Sequence, residues 1–588
     1  MTKAQNTEKK KENDKYFLGF DLSTQQIKAL IINQSLKIIH SEKVEFSKDL
    51  PQYETTKGVY IDGSSIFAPV AMWLDAIDLL MSKLISNKES VDVSKIVAIS
   101  GSCQQHGSVY WNSQGDLLLR HLDPNKKLSE QLSGALAYDM SPNWQDHSTE
   151  KQCDEFNNKL DGKMKELARV TGSRAHFRFT GPQIAKIAEK TPKIYEKTSK
   201  IQLVSNFLCS ILVGRLVPLE EADCCGMNLY DIEKRQFNSK LLEIIEPNNV
   251  LNVRSKLNGE PWPFAGESLP TGLINSYFQL KYGFDPACEI YPFTGDNLAT
   301  ILSLPLSKND VLISLGTSTT VLVVTDNYHP SPNYHLFIHP TIPNHYMGMI
   351  CYCNGSLARE KIRDIVNDGN GNSWDKFDEI LSSSSNKSTV DEMAVYFPLD
   401  EIVPSVSKAI KRCKFDVETG KILKFVDSFG NIADDVKLIV ESQALSCRVR
   451  ITPLLSSNSV EDSGTGIKFD YDKLPMSSFI KNKPKRCFFV GGGSKNTAIV
   501  SKFAKILGAP SDCNYRLETP NSCALGGCYK AMWSYEHQRD AEGTGSFDQF
   551  LSSKFNWETD LERVEVSGED EEYILSKIKP LSELEQSL

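Results

Sequence analysis

Residues 16–33 read YFLGFDLSTQQIKALIIN, two apolar runs on either side of a short polar segment. The apolar residues, several of them β-branched, predict strands at 16–20 and 27–32, and the polar segment between them predicts a turn. The resulting β-hairpin carries a carboxylate, Asp21, followed by the hydroxyls of Ser23 and Thr24.

The same pattern recurs later in the chain. Residues 311–315 and 320–324 are apolar runs with a small polar turn, Gly-Thr-Ser-Thr, between them. Two unrelated hairpins would have the same spacing, but the hydroxyls in both turns favour a duplicated architecture. Helical stretches at 66–84 and 184–195 alternate with apolar strands such as 96–100, which is typical of α/β domains. We therefore predict two α/β lobes.

The chain is too long for one hydrophobic core, since it has 588 residues of which 40% are hydrophobic. A proline and a polar patch precede the second hairpin, so we place the two lobes at 16–305 and 306–588. The hydrophilic, lysine-rich tail at 1–15 is expected to be flexible. Two segments rich in Ser, Asn, Asp and Gly are interpreted as surface insertions, 367–387 and 456–483.

Composition excludes several classes of protein. The net charge of -9 comes from interspersed acids and bases, which argues against binding of nucleic acid or anionic lipid. No apolar run approaches the roughly 20 residues that a membrane span needs. The 14 cysteines are scattered through the chain and no secretory signal precedes them, so we expect reduced, mostly buried thiols and a cytoplasmic protein. A monomer and a homodimer both remain possible.

Both hairpin turns suit phosphate chemistry. Asp21 is suited to holding Mg²⁺ through water, while turn amides and hydroxyls could face phosphate oxygens. An ordinary hairpin turn with an Asx cap is the alternative. The second turn lacks a charge but keeps its glycine and hydroxyls, among them Thr317.

A glycine run, Gly491–Gly493, follows an apolar strand at 487–490 and precedes a predicted helix at 496–507. Residues without side chains let a ligand approach the backbone and the helix N-terminus, as nucleotide-binding loops require. The run is neither a Rossmann fingerprint nor a Walker A loop, so by itself it is a weak signal. Farther on, small residues at 521–531 suit close packing, either beside a nucleoside or against another helix.

The segment Thr294-Gly-Asp296-Asn297 places a carboxylate after a glycine at the N-terminus of a predicted helix. The helix dipole favours its negative charge, so Asp296 is expected to stay ionised and could accept a proton from an alcohol. An aspartate that only caps the helix would have the same local sequence.

Taken in this order, these motifs resemble the FGGY family of carbohydrate kinases, whose members share the actin-like, ribonuclease H-like fold. The resemblance spans about residues 16–532, and segments 100–107 and 173–183 are similar to the sugar-contacting segments of xylulokinases. It implies two actin-like lobes with an interlobe cleft that closes on its ligands, the first lobe binding a sugar and the second binding MgATP.

The resemblance also implies roles for individual residues. Asp296 would be the general base, and Asp21 would lie near the metal. The sugar would be contacted by Gln105, His106, Arg178, Asp296 and Asn297, with His106 and Arg178 as hydrogen-bond donors. The nucleotide and its phosphates would be contacted by Thr24, Thr317, Trp374, Gly492, Gly493 and Asn496. The alternative for Trp374 is a side chain that only contributes packing.

The implied activity is ATP-dependent phosphorylation of D-xylulose to D-xylulose 5-phosphate. A kinase for another polyol, such as ribulose, glycerol or gluconate, and a non-catalytic ATP-binding protein of the same fold are the alternatives. Two segments depart from the family pattern: residues 104–107 read Gln-Gln-His-Gly where many members have Gln-Met-His-Gly, and residues 144–148 lack an arginine after Asp146. Asp146 is therefore kept only as a possible pocket residue.

Overall fold

A computed structural model of the protein describes residues 15–86, 91–262, 266, 268–383, 390–455, 468, 470–471, 476–518, 521–566 and 571–588. The tail predicted at 1–15 lies outside the described residues except for Lys15, and so does most of the insertion predicted at 456–483. No helix among the described residues is long and apolar enough to cross a membrane.

The described residues form two compact units. The first comprises those within Met1–Pro305, Phe337–Asn344 and Asn521–Phe555, and the second comprises those within Leu306–Leu336, His345–Pro520 and Asn556–Leu588. The boundary predicted at 305–306 coincides with one division. However, the chain returns twice to the first unit, so the units are not continuous in sequence.

Seven strands form the main sheet of the first unit. In order they are Gly272–Leu273, Glu289–Ile290, Ile96–Cys103, Tyr16–Leu22, Gln26–Asn33 and Ile38–Glu45, with Thr294–Gly295 also paired to Ile96–Cys103. Phe20 lies opposite Ala29 in the antiparallel hairpin and opposite Gly101 in the neighbouring parallel strand. The predicted hairpin is therefore confirmed. Asp21, however, lies within the first strand opposite Lys28 rather than in the turn, because pairing continues to Leu22.

The helix Ser522–Arg539 packs on this sheet through its small residues. A Cβ at Gly526 would lie 2.0 Å from the carbonyl oxygen of Ala299, and one at Gly527 would lie 2.8 Å from Cα of Gly101. Backbone contacts this close exclude any side chain. Of the two interpretations of residues 521–531, the structure therefore supports helix packing.

The main sheet of the second unit repeats this arrangement. It contains, in order, His335–Ile338, Tyr346–Tyr352, Thr319–Thr325, Asp310–Leu315, Arg486–Val490, Asn514–Arg516 and Glu562–Arg563. Asp310–Leu315 is antiparallel to Thr319–Thr325 and parallel to Arg486–Val490, as in the first sheet. The duplicated α/β architecture is confirmed.

Each unit has its own hydrophobic core. Buried residues such as Phe20, Trp73 and Phe207 form the first, and residues such as Ile313 and Phe489 belong to the second. The central strands of the two sheets, such as Tyr16–Leu22 and Arg486–Val490, are buried along nearly their whole length, so they are apolar on both faces.

Two predicted helices differ from the structure. The first begins only at Val70, because Ser65–Pro69 is a strand that pairs with Met140–Pro142. The second is divided into Thr180–Lys190 and Pro192–Lys197 by the proline that starts the second piece.

The remaining elements surround these sheets. Further strands are Tyr60–Asp62, Ser108–Trp111, Leu136–Tyr138, Lys200–Leu203, Tyr230–Asp231, Gln236–Phe237, Val390–Phe397, Ala409–Asp416 and Ile422–Val426. Further α-helices are Phe46–Asp49, Gly115–Arg120, Leu128–Leu132, Glu150–Lys159, Lys163–Thr171, Val204–Val213, Glu221–Cys224, Ser239–Ile245, Val250–Lys256, Ser276–Tyr282, Asp296–Ile301, Ser356–Val366, Asp375–Ser382, Ile432–Ile451, Met476–Lys481, Thr497–Leu507, Ala541–Thr544, Phe547–Lys554, Glu571–Ser576 and Ile578–Gln586. Short 3₁₀ turns are Pro51–Tyr53, Val93–Lys95, Ser133–Ala135, Cys225–Met227 and Gly492–Lys495.

The cysteines are reduced, as predicted. All 14 are free thiols, and ten of them are buried.

Candidate active site

Asp296 is the first residue of the helix Asp296–Ile301, and Gly295 is its N-cap. The position at a helix N-terminus is as predicted, but Asp296 does not cap the helix. Its Oδ1 accepts hydrogen bonds from the backbone N–H of Asn297 at 2.8 Å and from Nδ2 of Asn297 at 3.0 Å. Because both bonds go to Oδ1, Oδ2 is the oxygen left to take up a proton.

The electrostatics of Asp296 differ from the expectation of a permanently ionised group. The side chain keeps some solvent contact, yet desolvation by the surrounding protein, with repulsion from Asp21, raises its pKa to about 7. The bond from Asn297 and the charge of Arg178 oppose this increase. The helix dipole is therefore outweighed by burial, and at neutral pH the carboxyl is partly protonated.

His106 is buried and has a left-handed backbone conformation, with φ of 70°. Its ring stacks on Phe179 with centroids 4.4 Å apart, and its Nδ1 lies 3.0 Å from the carbonyl oxygen of Gly226. Burial and the charge of Arg178 lower the pKa of His106 to about 3, so the ring is neutral. This conformation is disfavoured for a residue with a side chain, so the contacts around the ring must hold it in place.

The bond to Gly226 fixes the tautomer of His106. A carbonyl oxygen only accepts, so Nδ1 carries the proton and Nε2 has a free lone pair. With the ring neutral, Nε2 is therefore an acceptor, whereas the sequence reasoning expected His106 to donate; its contact with a sugar stays a prediction. Gly226 was missed by the sequence reasoning. A Cβ there would lie 2.9 Å from both Cε1 and Nδ1 of His106, so only glycine lets the ring approach the backbone.

Three more predicted sugar contacts lie in the same unit. Gln105 is buried, and its Oε1 accepts from Nδ2 of Asn297 at 2.9 Å. Arg178 is half-buried and close enough to affect the pKa of both His106 and Asp296. The structure therefore brings all five predicted sugar-contacting residues together in the first unit.

Asp21 is buried at the end of its strand. Ser102 Oγ donates to its Oδ1 at 3.2 Å, and burial raises its pKa to about 6 although the charge of Lys28 opposes this. Thr24, in the turn that follows, accepts a hydrogen bond from Nε1 of Trp144 at 2.8 Å. This bond leaves the Thr24 hydroxyl proton available to another acceptor.

Asp146 lines a cavity together with Ile66, Gln183 and Lys186. Its Oδ2 accepts from the backbone N–H of Ile66 at 2.9 Å, and its Oδ1 accepts from Ser148 Oγ at 2.6 Å and from Gln183 Nε2 at 2.7 Å. These bonds occupy both oxygens. The carboxylate joins three segments of the fold, so these structural bonds account for its burial.

In the second unit, the glycine run packs against the end of the strand Asp310–Leu315. A Cβ at Gly493 would lie 2.8 Å from the carbonyl oxygen of Leu315, whereas one at Gly492 would meet nothing within 4 Å. Gly493 is thus required by packing, and Gly492 leaves its backbone open to a ligand.

Trp374 and Asn496 both lie at the helix Asp375–Ser382. Trp374 immediately precedes this helix, and Arg363 lies over its ring at 4.8 Å. Asn496 caps the helix Thr497–Leu507 by accepting from Ile499, and its Nδ2 donates to Asp378 Oδ1 at 2.7 Å. Trp374 is also partly buried against the core, so its predicted packing role is present in the structure.

A loop at 353–356 supports the second hairpin turn, and no sequence pattern pointed to this role. The backbone N–H of Ser356 donates to the carbonyl oxygen of Gly316 at 3.0 Å. Glu401 is buried and accepts from the backbone N–H of Asn354 at 3.1 Å and from its Nδ2 at 2.9 Å. The carboxylate of Glu401, about 50 residues away in sequence, therefore fixes the loop through its hydrogen bonds to Asn354.

Comparison with known proteins agrees with this arrangement. The N-terminal domain of the FGGY family of carbohydrate kinases matches residues 139–300, and its C-terminal domain matches residues 311–535. This chain belongs to the FGGY family of carbohydrate kinases. As a member of that family, this FGGY kinase uses ATP to phosphorylate a carbohydrate.

Individual relatives match nearly the whole FGGY kinase. The xylulose kinase of Saccharomyces cerevisiae is 56% identical over 590 residues, covering 98% of this chain and 97% of the yeast protein. The probable D-xylulose kinase A of Aspergillus fumigatus is 43% identical over 561 residues, covering 93% of each chain. The crystal structure of xylulose kinase from Rhodospirillum rubrum has a TM-score of 0.70 at 14% identity, covering 97% of each chain, and so has the same fold.

Proposed function

We propose that this FGGY kinase transfers the γ-phosphoryl group of ATP, bound with Mg²⁺, to D-xylulose and forms D-xylulose 5-phosphate and ADP. The 56% identity with a xylulose kinase over nearly the full length supports D-xylulose as the acceptor. The observation that carries the proposal is Asp296, a carboxyl with one oxygen tied to Asn297 and a pKa of about 7, beside a neutral histidine and an arginine.

The sugar is bound by complementary donors and acceptors. His106 Nε2 accepts from one hydroxyl, and Arg178 donates to others. Gln105 and Asn297 are already bonded to each other, so their amides are oriented before the sugar arrives. Such preorganisation reduces the entropy lost on binding.

Asp296 acts as the general base. Its Oδ2 takes the proton of the attacking sugar hydroxyl as the new oxygen–phosphorus bond forms and the bond to the departing ADP breaks. In a loose phosphoryl-transfer transition state the hydroxyl becomes acidic late, so a base with a pKa near neutrality is well matched to the step. Catalysis also requires the hydroxyl to be held in line with the phosphorus and water to be kept out.

Asp21 is the side chain that would hold Mg²⁺, through water. Among the described residues no group of three or more His, Cys, Asp or Glu is arranged to bind a metal. A single carboxylate is nevertheless sufficient, since Mg²⁺ keeps its waters and binds substrate phosphates. Burial raises the pKa of both Asp21 and Asp296, and the charge of Asp21 adds to the increase at Asp296, so a nearby cation would favour their ionised forms. When bound, the metal would neutralise charge on the transferring phosphoryl group.

Nucleotide contacts are proposed for six residues: Thr24, Thr317, Trp374, Gly492, Gly493 and Asn496. The open backbone at Gly492 and the helix capped by Asn496 support phosphate binding. For the compartment we propose the cytosol, supported by the 14 free thiols. The choice between monomer and homodimer stays a prediction.

A coupled assay of ADP release tests the proposal. The purified protein is given MgATP with D-xylulose, D-ribulose, L-ribulose, glycerol or gluconate in turn, and kcat/KM is compared. D-xylulose should have the highest value. A higher value for another acceptor would replace D-xylulose as the substrate, and ATP hydrolysis that no acceptor stimulates would refute the kinase mechanism.

A further inference from the structure

Three charged side chains are buried behind the turn that carries Asp296. Glu220, Asp223 and Lys530 are only 2%, 3% and 3% exposed. Buried charges destabilise a fold unless they are paired, and natural proteins keep them mostly where function requires them. None of the three takes part in the mechanism proposed above.

Two of these side chains are bonded to the elements around the turn. Glu220 Oε2 accepts from Thr294 Oγ1 at 3.1 Å and from the backbone N–H of Asp223 at 2.8 Å. Asp223 Oδ2 accepts from Ser205 Oγ at 2.6 Å, and Ser205 belongs to the buried helix Val204–Val213. The carboxylates therefore connect the turn to a rigid helix.

The other oxygen of Asp223 faces the residue before Asp296. A Cβ at Gly295 would lie 2.7 Å from Asp223 Oδ1 and 2.6 Å from Gln105 Nε2. Gln105 lies close enough to Asp223 for its side-chain amide to stabilise the ionised carboxyl by hydrogen bonding. Gln105 continues to Asn297 through its Oε1, and Asn297 continues to Asp296. Asp223 therefore lies close against the backbone at Gly295 and connects to Asp296 through the amides of Gln105 and Asn297.

Lys530 supplies the opposite charge. Its Nζ is buried and has no hydrogen-bond partner in the part of the chain that the structure describes. Burial lowers the pKa of Lys530, while the charges of Glu220 and Asp223 raise it. Burial likewise raises the pKa of Asp223 to about 7. Lys530 thus interacts electrostatically with both buried carboxyls.

We propose that Glu220, Asp223 and Lys530 are positioning residues that hold the turn at 294–297 so that Asp296 meets the acceptor hydroxyl. This role rests on the proposed function, since it assumes that Asp296 is the base. The ionic group acts through the backbone of Gly295 and through Gln105 and does not touch the sugar. Its loss should therefore lower kcat more than it weakens ATP binding.

The test compares Asp223→Asn, Lys530→Met and the double variant with wild type. We expect each single variant to lower kcat about tenfold to a hundredfold, the loss that a misplacement of about 1 Å causes. The KM for ATP should not change. In the double variant one ammonium and one carboxylate leave together, so its kcat should exceed that of Lys530→Met alone. All rates are normalised to the fraction of protein that binds ATP.

A second pair of variants, each of which removes one hydroxyl, keeps the test valid if the charged-residue variants fail to fold. Ser205→Ala removes one hydrogen bond to Asp223 and should lower kcat. Ser210 lies on the same helix, is buried, and bonds to Gln202 instead, so Ser210→Ala should affect stability but not normalised kcat. Equal normalised kcat for wild type, Ser205→Ala and Asp223→Asn would overturn the positioning role, as would strictly additive losses in the double variant. If wild type phosphorylates no acceptor, the proposed function fails and this role fails with it.

Discussion

Substitution of Gly226 gives a specific prediction, because its backbone can lie so close to His106 only while residue 226 has no Cβ. A Cβ at residue 226 would lie 2.9 Å from the imidazole, while ordinary carbon contacts are about 3.5–4.0 Å. In Gly226→Ala the ring must therefore move by about 0.5–1 Å. That movement breaks or weakens the bond of 3.0 Å between Nδ1 and the Gly226 carbonyl oxygen.

The size of the effect follows from that displacement. A hydrogen bond lost from a buried group costs about 1 kcal/mol, which corresponds to about a fivefold change in an equilibrium constant. Nε2 of His106 also moves away from the hydroxyl it accepts from, so kcat should fall by about tenfold or more, since small misplacements of binding groups have large effects on rate. We expect the KM for D-xylulose to rise about fivefold and the KM for ATP to stay unchanged.

The assay is steady-state ADP release, with D-xylulose and ATP varied in turn. Gly134→Ala is the matched control, because a Cβ at Gly134 would meet nothing within 4 Å and the residue lies in the same unit. It should behave like wild type. The reasoning is refuted if Gly226→Ala keeps the wild-type kcat and KM for D-xylulose, or if it changes the KM for ATP instead.

Three further predictions follow from other parts of the molecule. Asp296 must be ionised to take a proton, and its pKa is raised to about 7. We therefore expect kcat/KM for the sugar to rise with pH, with a midpoint near that value. A flat profile between about pH 5 and 8 would contradict the base role. Glu585→Gln leaves the buried guanidinium of Arg450 without its counter-charge. It should lower the free energy of unfolding in urea by about 3–5 kcal/mol. An unchanged unfolding curve would show that this ion pair does not contribute to stability. Asn496→Asp keeps the helix cap but places a second carboxylate beside Asp378, close to the proposed position of the ATP phosphates. The KM for ATP should therefore rise, while the KM for D-xylulose should not. Equal changes in both KM values would place Asn496 outside the nucleotide site.

Local patterns made the strands of both hairpins predictable. Apolar residues in short runs identify central strands whatever surrounds them, as in Tyr16–Leu22 and Asp310–Leu315. The predicted helix start at residue 66 was wrong because Ser65–Pro69 becomes a strand only through its pairing with Met140–Pro142. Such pairings between distant residues leave no signal in the local sequence.

The site shows the same division between local and distant information. Motifs identified Asp296 and His106, but not their protonation states, which depend on burial and on neighbours such as Arg178. Gly226 contacts His106 across 120 residues, so no local pattern could reveal it. Lys530 looks in sequence like an ordinary charged helix residue, and only the fold places it beside buried carboxylates.

The most direct test of the central claim is single-turnover phosphorylation of D-xylulose by Asp296→Asn, with the binding of ATP and of D-xylulose measured by calorimetry on the same preparation. Asparagine keeps the shape and can still accept from the Asn297 backbone, but it cannot take up the proton. We predict that transfer slows by a factor of about 10²–10⁴ while both ligands bind nearly as they do to wild type. Transfer at close to the wild-type rate, with both ligands bound, would contradict the assignment of Asp296 as the base.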